Sequence, residues 1–440
     1  MTSRRNILLL LLCAPLAVFS QGRQVTSLGT GRQVTSLDTG WRFFLGDDSA
    51  ASTAAFDDAG WRLLDLPHDW SIEGAFSPKN RTGQGEGGLP AGVGWYRKHF
   101  RLHPGAGRVY VDFDGVYRCS EVWINGHDLG KRPNGYISFR YELTPWLSKD
   151  GRNVLAVRVD NSAQPDSRWY TGSGIYRNVW LETTPAAAVD HWGVFVTTPA
   201  VSKEAAKIAA AIDIRNTGDR IWATVRVELL DRDGRVVGAS DGGKVLLVHG
   251  VVRSTIMLTL KKPHLWSPAD PYLYRIQVTV RTGRGQADKY TVRTGIREFR
   301  FDPAKGFFLN GQSMKMLGVC LHHDEGALGA AVNIAAIRRQ LRILKDMGCN
   351  AIRTSHNPPA PELLDVCDSM GLMVMDEAFD MWRKKKTKHD YSANFQEWHA
   401  RDLADQVRRD RNHPSVIVWS IGNEIREQFD SSGIRLAREL

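Results

Sequence analysis

The stretch "NHPSVIVWSIGNE", Asn412 to Glu424, consists of a polar lead-in, an apolar run and then an amide beside a carboxylate. The run Val416–Ser420 has the length and the branched side chains of a buried strand. In a barrel of parallel strands, the residues that follow each strand form the working rim. The sequence therefore places Asn423 and Glu424 on such a rim. A single carboxylate there predicts a second one elsewhere.

Upstream of this strand, strand and helix patterns alternate from about residue 301. Repeated strand–helix units at this spacing predict a parallel sheet, most simply a TIM barrel. Four strands can be counted where a complete barrel needs eight, so residues 301–440 are expected to form about half of one. The expected strands are Lys315–Val319, Asn350–Arg353, Leu372–Met375 and Val416–Ser420, and the expected helices are Ile334–Met347, Ala360–Ser369 and Phe395–Arg411.

The first two thirds of the chain have a β pattern. Between residues 41 and 184, segments such as "VYVDFDG" and "NVLAVRVDN" alternate apolar and polar side chains, and Asn125-Gly126 is a strong hairpin signal. Many short strands with long loops predict a jelly-roll sandwich. Residues 185–300 contain further short strands that end in turn signals, which predicts an immunoglobulin-like sandwich.

The N-terminus has the features of a signal peptide. Arg4 and Arg5 precede an apolar run, and small residues precede Gln21. Residues 1–20 are therefore predicted to be removed, and the protein to be periplasmic or secreted without stable membrane insertion. Residues 21–40 contain the near-duplicate segments "GRQVTSLGT" and "GRQVTSLDT", which we interpret as an N-terminal tail.

The composition, with 42% apolar and 24% charged residues, is that of a soluble globular protein. The net charge of +10 raises the question of an acidic partner, but no nucleic-acid-binding motif accompanies it. No nucleic-acid partner is expected. The tight basic run "RKKKTK", Arg383 to Lys388, is interpreted as a solvated surface loop.

Polar and titratable residues follow all four predicted barrel strands. Each one alone has a plain structural explanation, such as a hydrogen-bonded histidine or a carboxylate paired with a nearby arginine. Together on one rim they indicate a site, and carboxylates and imidazoles are suited to binding sugar hydroxyl groups. A glycosidase needs two carboxyl groups on either side of the scissile bond. The rim residues are His322, His323, Thr354, Ser355, His356, Asn357, Asp376, Glu377, Asn423 and Glu424.

Several segments together resemble glycoside hydrolase family 2, the family of β-galactosidases and β-glucuronidases. Besides "NHPSVIVWSIGNE", they are "LPHDWSIEG" (66–74), "SGIYRNVWLE" (173–182), "IRTSHNPP" (352–359) and "MDEAFDMW" (375–382), in the family's order. The resemblance runs from about residue 41 to the end. It implies a jelly-roll sugar-binding domain, an immunoglobulin-like domain and a catalytic barrel.

The resemblance also implies roles for individual residues. Glu424 matches the proton donor, and Asn423 matches its sugar-binding neighbour. Arg168 stands where some members have a sugar-binding Asp, and Asp380-Met381-Trp382 replaces a magnesium-binding Glu-x-His, so neither a metal nor another cofactor is expected. The substrate-binding candidates are Asn423, His356, His322, Asp69, Arg168 and Trp169.

The resemblance is strongest to the β-galactosidase branch. It implies retaining hydrolysis of terminal β-D-galactose from a β-linked galactoside or related oligosaccharide. The family's nucleophile is a Glu on a later barrel strand, which is expected to lie beyond residue 440, so the 440-residue chain by itself is expected to be inactive. A β-glucuronidase and a non-catalytic carbohydrate-binding fragment stay open as alternatives, and so does assembly as a homo-oligomer.

Overall fold

The computed structural model describes residues 31–440 except 103, 106, 284 and 286. The predicted signal peptide and the first copy of the duplicated segment lie outside the described residues. Within the described part, no helix is long and apolar enough to cross a membrane.

The first domain is the predicted jelly-roll sandwich of two antiparallel sheets. Their strand orders are β1–β10–β5–β8 and β3–β2–β4–β9–β6–β7. Trp41, Tyr96 and Phe113 are fully buried in its core. Asn125 and Gly126 join β6 to β7 with positive φ angles of 52° and 86°, as their sequence predicts. The strands are β1 Gln33–Ser36, β2 Trp41–Leu45, β3 Arg62–Leu64, β4 Val93–Arg101, β5 Arg108–Phe113, β6 Ser120–Ile124, β7 His127–Arg132, β8 Phe139–Glu142, β9 Arg152–Asp160 and β10 Val179–Thr184.

The predicted boundary of this domain at residue 41 lies too late. The second copy of the duplicated segment supplies β1, which pairs with β10. Arg32, only 1% exposed, donates to Asp288 at 3.1 Å and also pairs with Glu182. Because a buried guanidinium is stable only with such partners, Arg32 fixes this strand to the sandwich. The sequence could not reveal this, since both acidic partners lie far along the chain.

The second domain is the predicted immunoglobulin-like sandwich. It has a three-stranded sheet, β11–β12–β15, and a four-stranded sheet, β14–β13–β16–β17. Alternate residues of both sheets form one apolar core that includes Ile212, Val227 and Val278. The strands are β11 Ala187–Val201, β12 Ala205–Asn216, β13 Ile221–Leu230, β14 Val236–Leu247, β15 Gly250–Lys261, β16 Tyr274–Thr282 and β17 Ala287–Thr294.

The third domain holds the parallel sheet and confirms the predicted partial TIM barrel. A small antiparallel sheet, β18–β19–β20, comes first. The four strands of the parallel sheet follow in the order β21–β22–β23–β24. The elements are β18 Phe299–Asp302, β19 Gly306–Leu309, β20 Gln312–Ser313, β21 Gly318–Leu321, α1 Ile334–Asp346, β22 Ala351–Thr354, α2 Pro361–Met370, β23 Met373–Glu377, α3 Ser392–Asp410, β24 Val416–Ser420 and α4 Ser431–Glu439.

Two predicted barrel strands differ from the observed ones by more than one residue. β21 begins three residues later than expected. The side chain of Asn350 hydrogen-bonds the backbone of Lys315 and Leu317, and regular pairing with β22 starts only at the first residue of β21. β23 extends two residues further, so Asp376 and Glu377 lie within the strand and point to opposite faces. Asp376 accepts from Gln406 of α3, whereas Glu377 faces the site described below.

The half barrel is fixed to the jelly roll by buried polar contacts. Arg132 of β7 donates to Asp402 and Asp405 of α3 at 2.6 and 2.7 Å. Arg177 donates to the carbonyl oxygens of Pro358 and Pro359, both at 3.0 Å. These contacts position the loops after the strands against the loops of the first domain.

One buried ion pair gives the stability a predictable pH dependence. His413 Nδ1 lies 2.6 Å from Asp368 Oδ2. Burial alone would lower the pKa of His413, but the charge and hydrogen bond of Asp368 outweigh it and raise the pKa from 6.5 to about 9. The stabilisation is therefore complete below the unfolded-state pKa and is lost as the pH rises through 9.

We expect the free energy of unfolding to fall by up to about 3 kcal/mol between pH 7 and 10 in the parent chain, relative to His413→Gln. Urea unfolding at several pH values measures this difference, with the exposed His249→Gln as the control. Equal pH slopes in the parent and His413→Gln would contradict the expectation.

Candidate active site

Glu424 lies on the loop after β24, at the carboxyl edge of the parallel sheet. Its side chain is 74% exposed, and its backbone has a positive φ of 44°. Non-glycine residues adopt this left-handed conformation uncommonly, and such residues often mark functional sites. The adjacent Asn423 is 5% exposed, and its Nδ2 donates to Asp380 Oδ1 at 2.8 Å. Glu424 is thus presented to solvent by a firmly held neighbour.

Glu377 forms a buried anionic anchor below this rim. Its carboxylate is 0% exposed and accepts from Arg353, from Ser420 Oγ at 2.6 Å and from His356 Nδ1 at 2.8 Å. Because a carboxylate can only accept, His356 donates to it through Nδ1. Arg353 also donates to Asn423 Oδ1 at 2.8 Å. One carboxylate therefore orients two residues of the candidate site.

Asp380 is the meeting point of three donors. Its Oδ1 accepts from Arg168 at 2.6 Å, from Asn423 at 2.8 Å and from Lys386 at 3.1 Å. Burial alone would raise the pKa of Asp380, but these donors and their charges more than offset it and lower the pKa. Asp380 Oδ2 is buried and has no hydrogen-bond partner among the described residues.

Two cations approach Glu424 from different parts of the chain. Arg168 of the jelly roll and Lys386 of the loop after β23 each lie 4.0 Å from Glu424 Oε2. Lys386 is only 6% exposed and also donates to the carbonyl oxygen of Asn423 at 2.7 Å. Both cations lie at ion-pair distance from this exposed carboxylate, and Lys386 holds the peptide that carries it.

A cavity opens between the jelly roll and the half barrel. Trp169 and His356 line it, as does Asp380. The Trp169 ring stacks on His322 at 5.0 Å and lies edge-on to His356 at 5.5 Å. Aromatic faces with a few convergent polar groups are typical of sites for small ligands.

Six of the seven predicted site residues meet around this cavity and rim: Glu424, Asn423, His356, His322, Arg168 and Trp169. Asp69 does not join them through any described contact. It is 2% exposed, and its oxygens accept from the backbone of Ser71, Ser173 and Ala330 and from Tyr170. Those contacts give Asp69 a structural task, which the sequence "LPHDWSIEG" does not reveal.

Sequence reasoning missed Lys386, Arg353 and the anchoring position of Glu377. Lys386 lies in the basic run that was interpreted as a solvated loop, and nothing in that run distinguishes it from its neighbours. Arg353 precedes the noted rim residues by one position. The alternation of side chains along β22 could have identified Arg353. It lies two positions before the noted Ser355, and residues two positions apart on a strand share a face.

One group of described residues has the geometry to hold a metal ion, namely Asp365, Asp368 and His413. Asp368 already accepts from His413 and from the backbone of Ser415, and Asp365 pairs with Arg293. This group does not line the cavity. The expectation that the site uses no metal stays a prediction.

Three family models match successive parts of the chain. They are the sugar-binding domain of glycosyl hydrolases family 2 at residues 86–185, "Glycosyl hydrolases family 2" at residues 189–297, and its TIM barrel domain at residues 303–436. Their order is that of the three domains described above.

Individual relatives have names that fit this family. A β-galactosidase of Bacteroides ovatus is 55% identical over 89% of this chain and 46% of its own length. A β-glucuronidase of Bacteroides fragilis is 29% identical over 84% of this chain and 54% of its own length. The crystal structure of a family 2 glycosyl hydrolase from Bacteroides cellulosilyticus matches with a TM-score of 0.90 at 37% identity, over 92% of this chain and 53% of that one. The chain thus spans about half the length of these relatives.

Proposed function

Because the chain belongs to glycoside hydrolase family 2, we propose that it carries the acid/base half of a retaining β-galactosidase site, with Glu424 as the general acid/base. The observation that supports this most is the placement of Glu424. It stands exposed at the rim of a cavity that Trp169, His356 and Asp380 line. A sugar ring against the indole would bring its hydroxyl groups to His356 and Asp380.

In the first step, Glu424 would give a proton to the glycosidic oxygen as that bond breaks. In the second step, its carboxylate would take a proton from water. Arg168 and Lys386 lie beside that carboxylate, and Asn423 would hold a ring hydroxyl beside the reacting carbon. The retaining route also needs a carboxylate nucleophile roughly 5–5.5 Å away, which the family resemblance assigns to a later barrel strand.

The charges around the cavity support a neutral terminal sugar over a glucuronide. Arg168 and Lys386 both pair with Asp380, and Arg353 pairs with Glu377. Each of these three cations therefore already has a carboxylate partner, as does Arg118 of the cavity wall with Asp166. β-Galactose is the sugar that this arrangement and the Bacteroides ovatus relative favour.

We expect Trp169→Ala to weaken binding of galactose to the 440-residue chain about tenfold, because the mutation removes the ring against which the sugar would pack. Glucuronate should bind more weakly than galactose to the parent chain. Titration calorimetry measures both affinities.

The matched control is Trp222→Ala, which removes an indole that is 56% exposed on the immunoglobulin-like domain. Unchanged galactose affinity in Trp169→Ala would show that the cavity is not the sugar site. Preference for glucuronate would favour the β-glucuronidase alternative.

A further inference from the structure

The basic run Arg383–Lys388 is not a detached surface loop, since its middle enters the candidate active site. Lys386 donates to the carbonyl oxygen of Asn423, and its Nζ lies 4.0 Å from Glu424 Oε2. Arg383, Lys384, Lys385 and Lys388 remain exposed. The run therefore borders the outer side of the proposed acid.

The backbone of this run is held in place. The amide of Lys384 donates to the buried Glu427 at 2.7 Å, and Arg426 donates to the carbonyl oxygen of Lys385 at 3.1 Å. The amides of Lys386 and Thr387 both donate to Asp390, at 2.6 and 2.8 Å. The exposed side chains consequently project from a fixed frame that is continuous with the loop of Glu424.

The rim carries more positive charge than its neighbours balance. Lys384 pairs with Asp430 at 2.8 Å. Within the part of the chain that the structure describes, four exposed cations of this rim have no carboxylate partner. We call them the basic rim: Arg383, Lys385, Lys388 and Arg426.

The basic rim and the cavity differ in charge. The cations that line or border the cavity are paired with Asp380, Glu377 and Asp166, whereas those of the basic rim have no carboxylate partner among the described residues. In a glycosidase, the acid acts on the oxygen between the terminal sugar and the leaving group. The surface beyond Glu424 therefore faces the leaving group, which can carry charge even when the terminal sugar is neutral.

We propose that the basic rim is a subsite for sulfate or carboxylate groups on the leaving-group side of the substrate, so that the natural substrates are acidic glycans. This inference rests on the proposed function only for the assignment of the basic rim to the leaving-group side. The binding test does not depend on that function. We favour an acidic glycan over nucleic acid because these cations flank the proposed acid of a glycosidase site.

The test compares two variants of the 440-residue chain that lose the same formal charge. The rim variant combines Arg383→Ser, Lys385→Ser, Lys388→Ser and Arg426→Ser and leaves Lys386 in place. The control combines Lys203→Ser, Lys207→Ser, Arg220→Ser and Lys244→Ser, which are exposed positions on the immunoglobulin-like domain. Circular dichroism and thermal melting confirm that both variants fold.

The probes are a sulfated galactan oligosaccharide and its desulfated form, and an oligogalacturonate and its methyl ester. Titrations are run in 25 and 200 mM NaCl. At the lower salt concentration, the rim variant should bind one or both charged probes about tenfold more weakly than the parent chain, with little change for the neutral forms. The control should stay within about twofold of the parent. The charged probe that responds identifies the anionic group.

Three results would overturn the inference. They are equal binding of charged and neutral probes by the parent chain, equal loss of affinity in both variants, and equally tight binding of a single-stranded DNA oligomer with the same number of charges. Failure of the proposed function would give a different result. The parent chain would then not bind galactose, while the charged probes would still bind the parent chain more tightly than the rim variant.

Discussion

Glu424→Gln should slow hydrolysis of galactosides with poor leaving groups by at least ~100-fold. The measurement uses an enzyme in which this chain is continued by the matching C-terminal residues of the Bacteroides ovatus β-galactosidase, its 55% identical relative. The amide cannot give a proton to the departing oxygen. Aryl galactosides with activated leaving groups should be affected less, since such groups depart with little protonation.

Two further measurements sharpen this expectation. Azide should restore part of the turnover of activated substrates in Glu424→Gln, because it can attack the intermediate without a general base. Glu439→Gln, an exposed carboxylate on α4, is the control and should leave the rates unchanged. Equal loss on poor and activated leaving groups would assign Glu424 a role other than proton transfer.

The second large effect concerns the 440-residue chain by itself, which should show no enzyme-like turnover of an aryl β-galactoside. A retaining site needs a free carboxylate roughly 5–5.5 Å from its acid. Glu377 is 0% exposed, and Arg353, His356 and Ser420 occupy its oxygens. Asp380 is 5% exposed and paired with two cations. Neither carboxylate is placed to attack a sugar.

The expected inactivity is not a consequence of unfolding. The contacts of Arg132 with Asp402 and of Arg177 with Pro358 and Pro359 fix the half barrel to the jelly roll. The chain should therefore melt cooperatively and still bind galactose, while the joined enzyme is active in the same assay. Turnover by the isolated chain at ordinary enzyme rates would show that a second carboxylate exists among these residues.

The periodic pattern of apolar residues in the sequence was sufficient to predict the architecture. Side chains return to the same face every two residues in a strand and every 3.6 residues in a helix. These periods depend only on local backbone geometry. The pattern of residues 301–440 therefore predicted a partial parallel barrel, and Val416–Ser420 was located with the observed bounds. The same strand placed Asn423 and Glu424 on the rim, since parallel strands present their carboxyl ends at one edge.

Long-range contacts were decided only in the tertiary structure. Arg32 becomes part of the sandwich through Glu182 and Asp288, and Asp69 is drawn into backbone contacts that no local pattern encodes. Lys386 stands among similar residues in the sequence, and only the folded chain brings it to Glu424. Local geometry repeats along a sequence and can be predicted from it, whereas the partner of a buried charge depends on which distant segments the fold brings together.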